Sequence, residues 1–106
     1  MKLSIVLYSH DAETIWNVFR LAGLARKKGD IVSVFLLAKG VEAQNLDTEK
    51  FPITQLMREF IEEGGEILAC GTCLKLREAE SSELCPMSTM EDLYILLRDA
   101  DKVITF

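Results

Sequence analysis

The seven residues Ile31 to Leu37, IVSVFLL, are apolar at odd and even positions alike, with Ser33 the only exception. Successive side chains of a strand point to opposite faces, so such a run needs cover on both faces, the condition of a strand inside a parallel sheet. The rest of the chain is read against that requirement. Lys2 to Tyr8 is another short run of strand formers, and Ser9-His10-Asp11 then breaks it, with Asp11 placed to cap a helix. From Ala12 to Lys28, Ile15, Phe19, Ala22 and Ala25 recur at helical spacing. Arg26-Lys27-Lys28 suit the negative end of the helix dipole, and Gly29 suits the stop. Trp16 is expected beside this stripe as a core residue, given the apolar surface it carries.

Residues 38–51 mix Lys39-Gly40, Asn45 and Asp47 with Val41, Ala43 and Leu46, which predicts a loop holding one helical turn, and a connection of that length often borders a site. Pro52 opens a second helix on the stripe Ile53, Leu56, Met57, Phe60 and Ile61, closed by Gly64-Gly65. Glu66 to Cys70 predicts a third strand, Gly71 to Arg77 a short helix, and Glu78 to Glu83 a polar loop. Leu84 to Met87 reads as a weak fourth strand interrupted by Pro86. Ser88 or Thr89 caps a last helix carrying Met90, Leu93, Tyr94, Leu96 and Leu97, and Lys102 to Phe106 closes as a strand.

Strands and helices therefore alternate, which implies an α/β layered fold with right-handed crossovers and a mostly parallel five-stranded sheet. At 106 residues, 1–106 is expected to form a single domain. In such sheets ligands gather beyond the carboxyl ends of the strands, where the strand order reverses. With the flavodoxin-like order 2-1-3-4-5, the first and third strands are neighbours, and His10 and Cys70 fall on one rim.

The net charge is -5, and the twelve Lys and Arg are scattered, which removes the footprint of a nucleic-acid binder. The opening MKLSIVLYSHD holds too short an apolar run for a signal-peptide core or a membrane span, so no membrane partner is expected and a cytoplasmic location is. No glycine pattern matches a phosphate-binding loop, and His10-Asp11 has no serine in a nucleophile elbow, so neither a nucleotide cofactor nor a hydrolase triad is expected.

The chemistry lies in the thiols. Three cysteines are an odd number, which argues against a disulfide framework, and two of them form the C-x-x-C of Cys70-Gly71-Thr72-Cys73 at a strand-to-helix junction. Near a helix N-terminus a thiol pKa falls, and Lys75, Arg77 and His10 are candidates to tune the pair further. A thiolate there can attack a sulfane sulfur and keep it as a persulfide, or attack a disulfide, while the second thiol resolves the intermediate. A thioredoxin-like motif follows the first or second strand of its fold, and this pair follows the third. A Cys3His zinc site would need Cys70, Cys73, Cys85 and His10 to converge on one tetrahedron, and no metal is expected. The bland alternative is that the thiols are packed, since free cysteine is among the most buried residue types. Cys85 is expected as a packed strand residue, its role open.

The run GEILACGTCLKLRE, the ending EDLYILLRDADKVITF and the opening SHDAETIWNVFRLAGLARKKG together resemble the DsrE/DsrF-like sulfur-relay superfamily, above all its small YchN-like members. The resemblance spans nearly the whole chain. It implies a flavodoxin-like three-layer sandwich, assembly into homotrimers or hexamers, and a cysteine that relays sulfur as a persulfide between donor and acceptor proteins. By motif position Cys70 and Cys73 match the family pair. Leu76-Arg77-Glu78-Ala79 stands where Arg-Gly is often found. The function expected is a sulfur carrier using Cys70 or Cys73, a possible sulfurtransferase. The alternative is a non-catalytic homo-oligomeric module with structural or metal-bound cysteines. Met57 and Tyr94 are candidates for the subunit interface in either case.

Overall fold

A computed structural model describes residues 1–106. The chain forms β1 (Lys2–Leu7), α1 (Ala12–Lys27), β2 (Ile31–Leu36), a 3-10 helix (Ala38–Asn45), α2 (Ile53–Glu62), β3 (Glu66–Cys70), α3 (Gly71–Leu76), β4 (Met87–Ser88), α4 (Met90–Asp99) and β5 (Lys102–Thr105). All ladders are parallel, as the apolar strands require. Asp11 caps α1 through a hydrogen bond from Thr14 N–H, and Thr89 opens α4 in a reciprocal capping box with Asp92.

The α/β class and the five-stranded parallel sheet are as expected, but the strand order runs β4-β3-β2-β1-β5. The arrangement 2-1-3-4-5 sets the first and third strands side by side, whereas here β2 separates them. The chain steps outward from β1 to β4 and only then crosses back, through α4, to place β5 against β1. With right-handed crossovers, the helices of the outward steps cover one face and α4 covers the other. Side chains bear this out. Phe19 of α1 meets Phe60 of α2 edge to face at 6.0 Å, while Ser4 Oγ, on the opposite face of β1, donates to the Leu96 carbonyl of α4 at 3.1 Å.

The core lies mainly between the sheet and the α1–α2 layer, where Ile5, Leu7, Ile15, Val34, Leu36, Ile53 and Met57 are fully buried. Met57 is therefore a core residue and not an interface candidate; Tyr94 is exposed. Trp16 is half-buried beside the core, tilted against Phe51 with Arg20 over its ring. The fourth strand also departs from expectation. It begins after Pro86, at Met87, because proline has no N–H to give a ladder; the Pro86 carbonyl still accepts from Ala69 N–H at 2.9 Å. Leu84 and Cys85 are buried in the bend that precedes it.

Candidate functional site

β3 delivers its last residue, Cys70, as the N-cap of α3, and the chain turns there with extended backbone. Cys70 is 2% exposed, whereas Cys73, one turn on, is half-buried. The difference follows from the fold: Cys70 ends a strand flanked by others, and Cys73 lies on the side of α3 that meets the 3-10 helix. The Cys70 thiol is close enough to act on the ionisation of Cys73. All three cysteines are free.

The strand that separates β1 from β3 contributes to this site. Where β2 ends, Ala38 adopts φ 51 and its N–H donates to Cys73 Sγ at 3.2 Å. The 3-10 helix then crosses the end of β1, with Gly40 packed so closely on the Leu7 carbonyl that a Cβ would stand 2.0 Å from it. This crossing brings Glu42 between two of the expected tuning residues. Arg77 Nε donates to Glu42 Oε2 at 3.0 Å, Arg77 Nη1 donates to the Cys73 carbonyl at 3.1 Å, and His10 Nε2 lies 3.6 Å from Glu42 Oε1. His10 and Cys73 are thus on one end of the sheet, joined through Glu42 and Arg77 instead of by neighbouring strands.

Lys75 does not join this set. It projects from the other side of α3 into a cleft of about 410 Å³ between the carboxyl ends of β3 and β4, shared with Gly71, Thr72, Met87 and Met90. These two strands are adjacent and their following helices leave toward opposite faces, so the topological crevice falls here, beside the thiols and not around them.

At Cys73 the electrostatics run against the expectation of a lowered thiol pKa. Burial pushes the Cys73 thiol up from its ordinary value, and the Cys70 thiol pushes the same way; the Ala38 N–H and the Arg77 charge pull it back only in part. α3 has six residues, too few peptide units for a large dipole. The Arg77 hydrogen bond holds the Glu42 carboxyl below the usual carboxylate range, opposed by burial and helped by the nearby His10. Cys85 is buried apart, and desolvation raises its thiol to about 11. No three His, Cys, Asp or Glu side chains are arranged to hold a metal ion, so the four-ligand convergence of Cys70, Cys73, Cys85 and His10 does not occur.

Sequence reasoning missed Glu42 and the Ala38 N–H. The one available signal was the length of the 38–51 connection, which said that a site could border it and not which residues would face the thiol.

Comparison with known proteins bears on the same elements. An uncharacterized protein of Methanopyrus kandleri, MK0008, is 35% identical over 101 residues, covering 89% of this chain and 83% of that protein. An uncharacterized protein of Methanocaldococcus jannaschii, MJ0989, is 28% identical over the full length of both. The solved structure of a conserved protein of unknown function from Bacteroides thetaiotaomicron, BT1422, shares the fold, with a TM-score of 0.81 at 18% identity over 99% of this chain and 94% of that one. The sequence profile of the DsrE/DsrF-like family matches residues 1–106, with both cysteines of the C-x-x-C inside the match, and the chain belongs to that family.

Proposed function

We propose that the protein is a sulfur carrier that holds sulfane sulfur as a persulfide on Cys73, with Cys70 as the resolving thiol. One observation carries the reading: Cys73 is the less buried member of a thiol pair, its Sγ accepts from the Ala38 N–H, and the Arg77 guanidinium is held on its carbonyl. In the loading step the Cys73 thiolate attacks the outer sulfur of a donor persulfide. A new S–S bond forms on Cys73, the donor S–S bond breaks, and the donor leaves as its thiolate. In the unloading step an acceptor thiolate takes the outer sulfur and Cys73 departs as thiolate. Where no acceptor is present, Cys70 attacks the inner sulfur, expels hydrosulfide and closes a Cys70–Cys73 disulfide.

The raised thiol pKa suits a carrier that stays protonated until a docked donor supplies further positive charge. We place this activity in the reducing cytoplasm, which keeps free cysteines reduced. No helix is long and apolar enough to cross a membrane. Ile31, Tyr94 and Val103 leave exposed apolar surface on the α4 side of the sheet, which suits self-association as a trimer or hexamer.

The test is the intact mass of protein incubated with a sulfane-sulfur donor, read before and after reduction and followed by peptide mapping. A reducible gain of whole sulfur atoms on Cys73, lost in Cys73→Ser and kept in Cys70→Ser, is the expected result. The second reading, a homo-oligomeric module with packed thiols, is favoured by the burial of Cys70 and Cys85. No mass gain, with Cys73 as slow to alkylate as Cys70, would establish it in place of the carrier.

A further inference from the structure

The Glu42 carboxylate lies at the junction of three elements, and none of its neighbours in sequence explains why. Val41 and Ala43 on either side are buried, which anchors the 3-10 helix and fixes the direction of the residue between them. Its two oxygens are divided: Oε2 takes Arg77 Nε at 3.0 Å and Oε1 faces His10 Nε2 at 3.6 Å. The guanidinium is held at both ends, because Arg77 Nη1 also donates to the Cys73 carbonyl at 3.1 Å. Side-chain exposures of 27% for Arg77 and 36% for Glu42 mean that the pair is partly solvated and screened, so it contributes little to folding. A long arginine side chain without the second anchor would sweep solvent.

We propose that Glu42 is a positioning residue for the thiol site: its carboxylate clamps Arg77 so that the guanidinium stays beside Cys73. The role rests on Cys73 being the reactive thiol of the proposed carrier, and the clamp sets how much of that thiol is available as thiolate. Arg77 stabilises the Cys73 thiolate by its charge. Glu42 carries the opposite charge, so two accounts of its effect differ in sign. If Glu42 acted only as a nearby negative charge, its removal would favour the thiolate. If it holds the arginine, losing the acceptor releases the guanidinium and disfavours the thiolate.

The experiment is the pH profile of Cys73 alkylation by iodoacetamide in the full chain, with the modified peptide quantified by mass, for the parent, E42A, E42Q, R77M and E42A/R77M. Because glutamine retains an oxygen that accepts from Arg77 Nε, E42Q should alkylate at least as fast as the parent. E42A should be slower by about threefold to tenfold near pH 7.5, with the profile moved to higher pH, since a tenfold loss of thiolate corresponds to one pKa unit. R77M should match E42A, and the double variant should be no slower than R77M alone, because both changes remove the same guanidinium. Alkylation of E42A as fast as the parent, or losses that multiply in the double variant, would overturn the proposal. E42M, close to glutamate in volume and without an acceptor, repeats the comparison should E42A lose its fold by circular dichroism. No sulfur donor is involved, so a protein that fails to load sulfur can still show the clamp, and a protein without the clamp can still load sulfur.

Discussion

The N–H of Ala38 donates to Sγ of Cys73 across 3.2 Å, spanning 35 residues of sequence to join the end of β2 to α3. Ala38 makes this contact from a left-handed conformation, φ 51, which costs an ordinary L-residue about 1–2 kcal/mol. Strain of this kind persists where surrounding structure fixes it, and it concentrates at functional sites. Here the fixing comes from Leu37 N–H, which donates to the Leu7 carbonyl at 2.9 Å, and from Gly40 packed on that same carbonyl. The first residue of the 3-10 helix, just past the end of the central strand β2, thus supplies the thiol's backbone donor, and the strand order β4-β3-β2-β1-β5 sets β2 beside β3.

The thiols should differ in reactivity in a fixed order. Cys73 is half-buried, and Cys70 and Cys85 are 2% and 4% exposed, so iodoacetamide should modify Cys73 first. Because burial and the Cys70 thiol raise its pKa above 9.0, the Cys73 rate should climb about tenfold per pH unit from pH 7 and show no plateau by pH 9. A plateau below pH 8 would mean that the N–H and the arginine outweigh burial. Peptide-resolved alkylation kinetics supply both readouts.

The features legible in the sequence are those written in periodicity. IVSVFLL demanded a strand covered on both faces, Ile15, Phe19, Ala22 and Ala25 marked the buried stripe of α1, and EILAC followed by glycine placed the C-x-x-C at a strand-to-helix junction. Strand order leaves no such trace, because it is decided by which neighbours the crossovers reach, and the local pattern is the same for either order. Glu42 was hidden for a related reason. It is a polar residue in a connection, and only the passage of Gly40 over the Leu7 carbonyl gives it Arg77 and His10 as partners. The direction of the Cys73 pKa depends on burial against a short helix dipole, a balance that spacing does not reveal.

Two glycine-to-alanine changes should move stability in opposite directions. Gly40→Ala forces a Cβ to 2.0 Å from a backbone oxygen that cannot turn aside, so β1 and the 3-10 helix must separate, at a cost of roughly 3 kcal/mol or more. Gly23, inside α1, has nothing within 4 Å of the added Cβ, and there alanine should stabilise by about 0.5–1 kcal/mol through helix propensity. Urea midpoints at constant m-value separate the two. Gly40→Ala should also free the Cys73 thiol from the Ala38 N–H, read as altered alkylation in whatever fraction stays folded.

α3 ends with the wrong residue for its geometry. Glu78 N–H donates to the Lys75 carbonyl at 3.1 Å and Ala79 N–H to the Leu74 carbonyl at 2.9 Å, the paired bonds of a Schellman motif whose left-handed position is Glu78, φ 52. α1 and α2 close with the same paired bonds, and there the corresponding residues are Gly29 and Gly64. Glu78→Gly should therefore raise stability by about 1 kcal/mol, seen as a higher urea midpoint. Cys73 alkylation should stay at the parent rate, since Glu78 does not contact the thiol pair. A fall in stability would show that the strain at Glu78 is compensated by contacts its side chain makes.

Cys85 should make the protein sensitive to alkali. Its thiol, raised by burial from 9.0 to about 11, stays protonated in the folded chain at pH values where the unfolded chain has lost the proton. The folded state then binds more protons than the unfolded state, and stability falls as pH rises. The contribution is fully present below about pH 9 and is lost progressively between 9 and 11, amounting to about 2–3 kcal/mol. Cys73, shifted in the same direction, adds to the slope. Cys85→Ala leaves a small cavity and should lower stability at pH 7, yet its stability should decline less steeply between pH 9 and 11 than that of the parent. Urea unfolding of both proteins at pH 7, 9 and 10.5 tests the difference in slope; equal slopes would place the alkaline sensitivity in the tyrosines, lysines or Cys73 and remove Cys85 from the account.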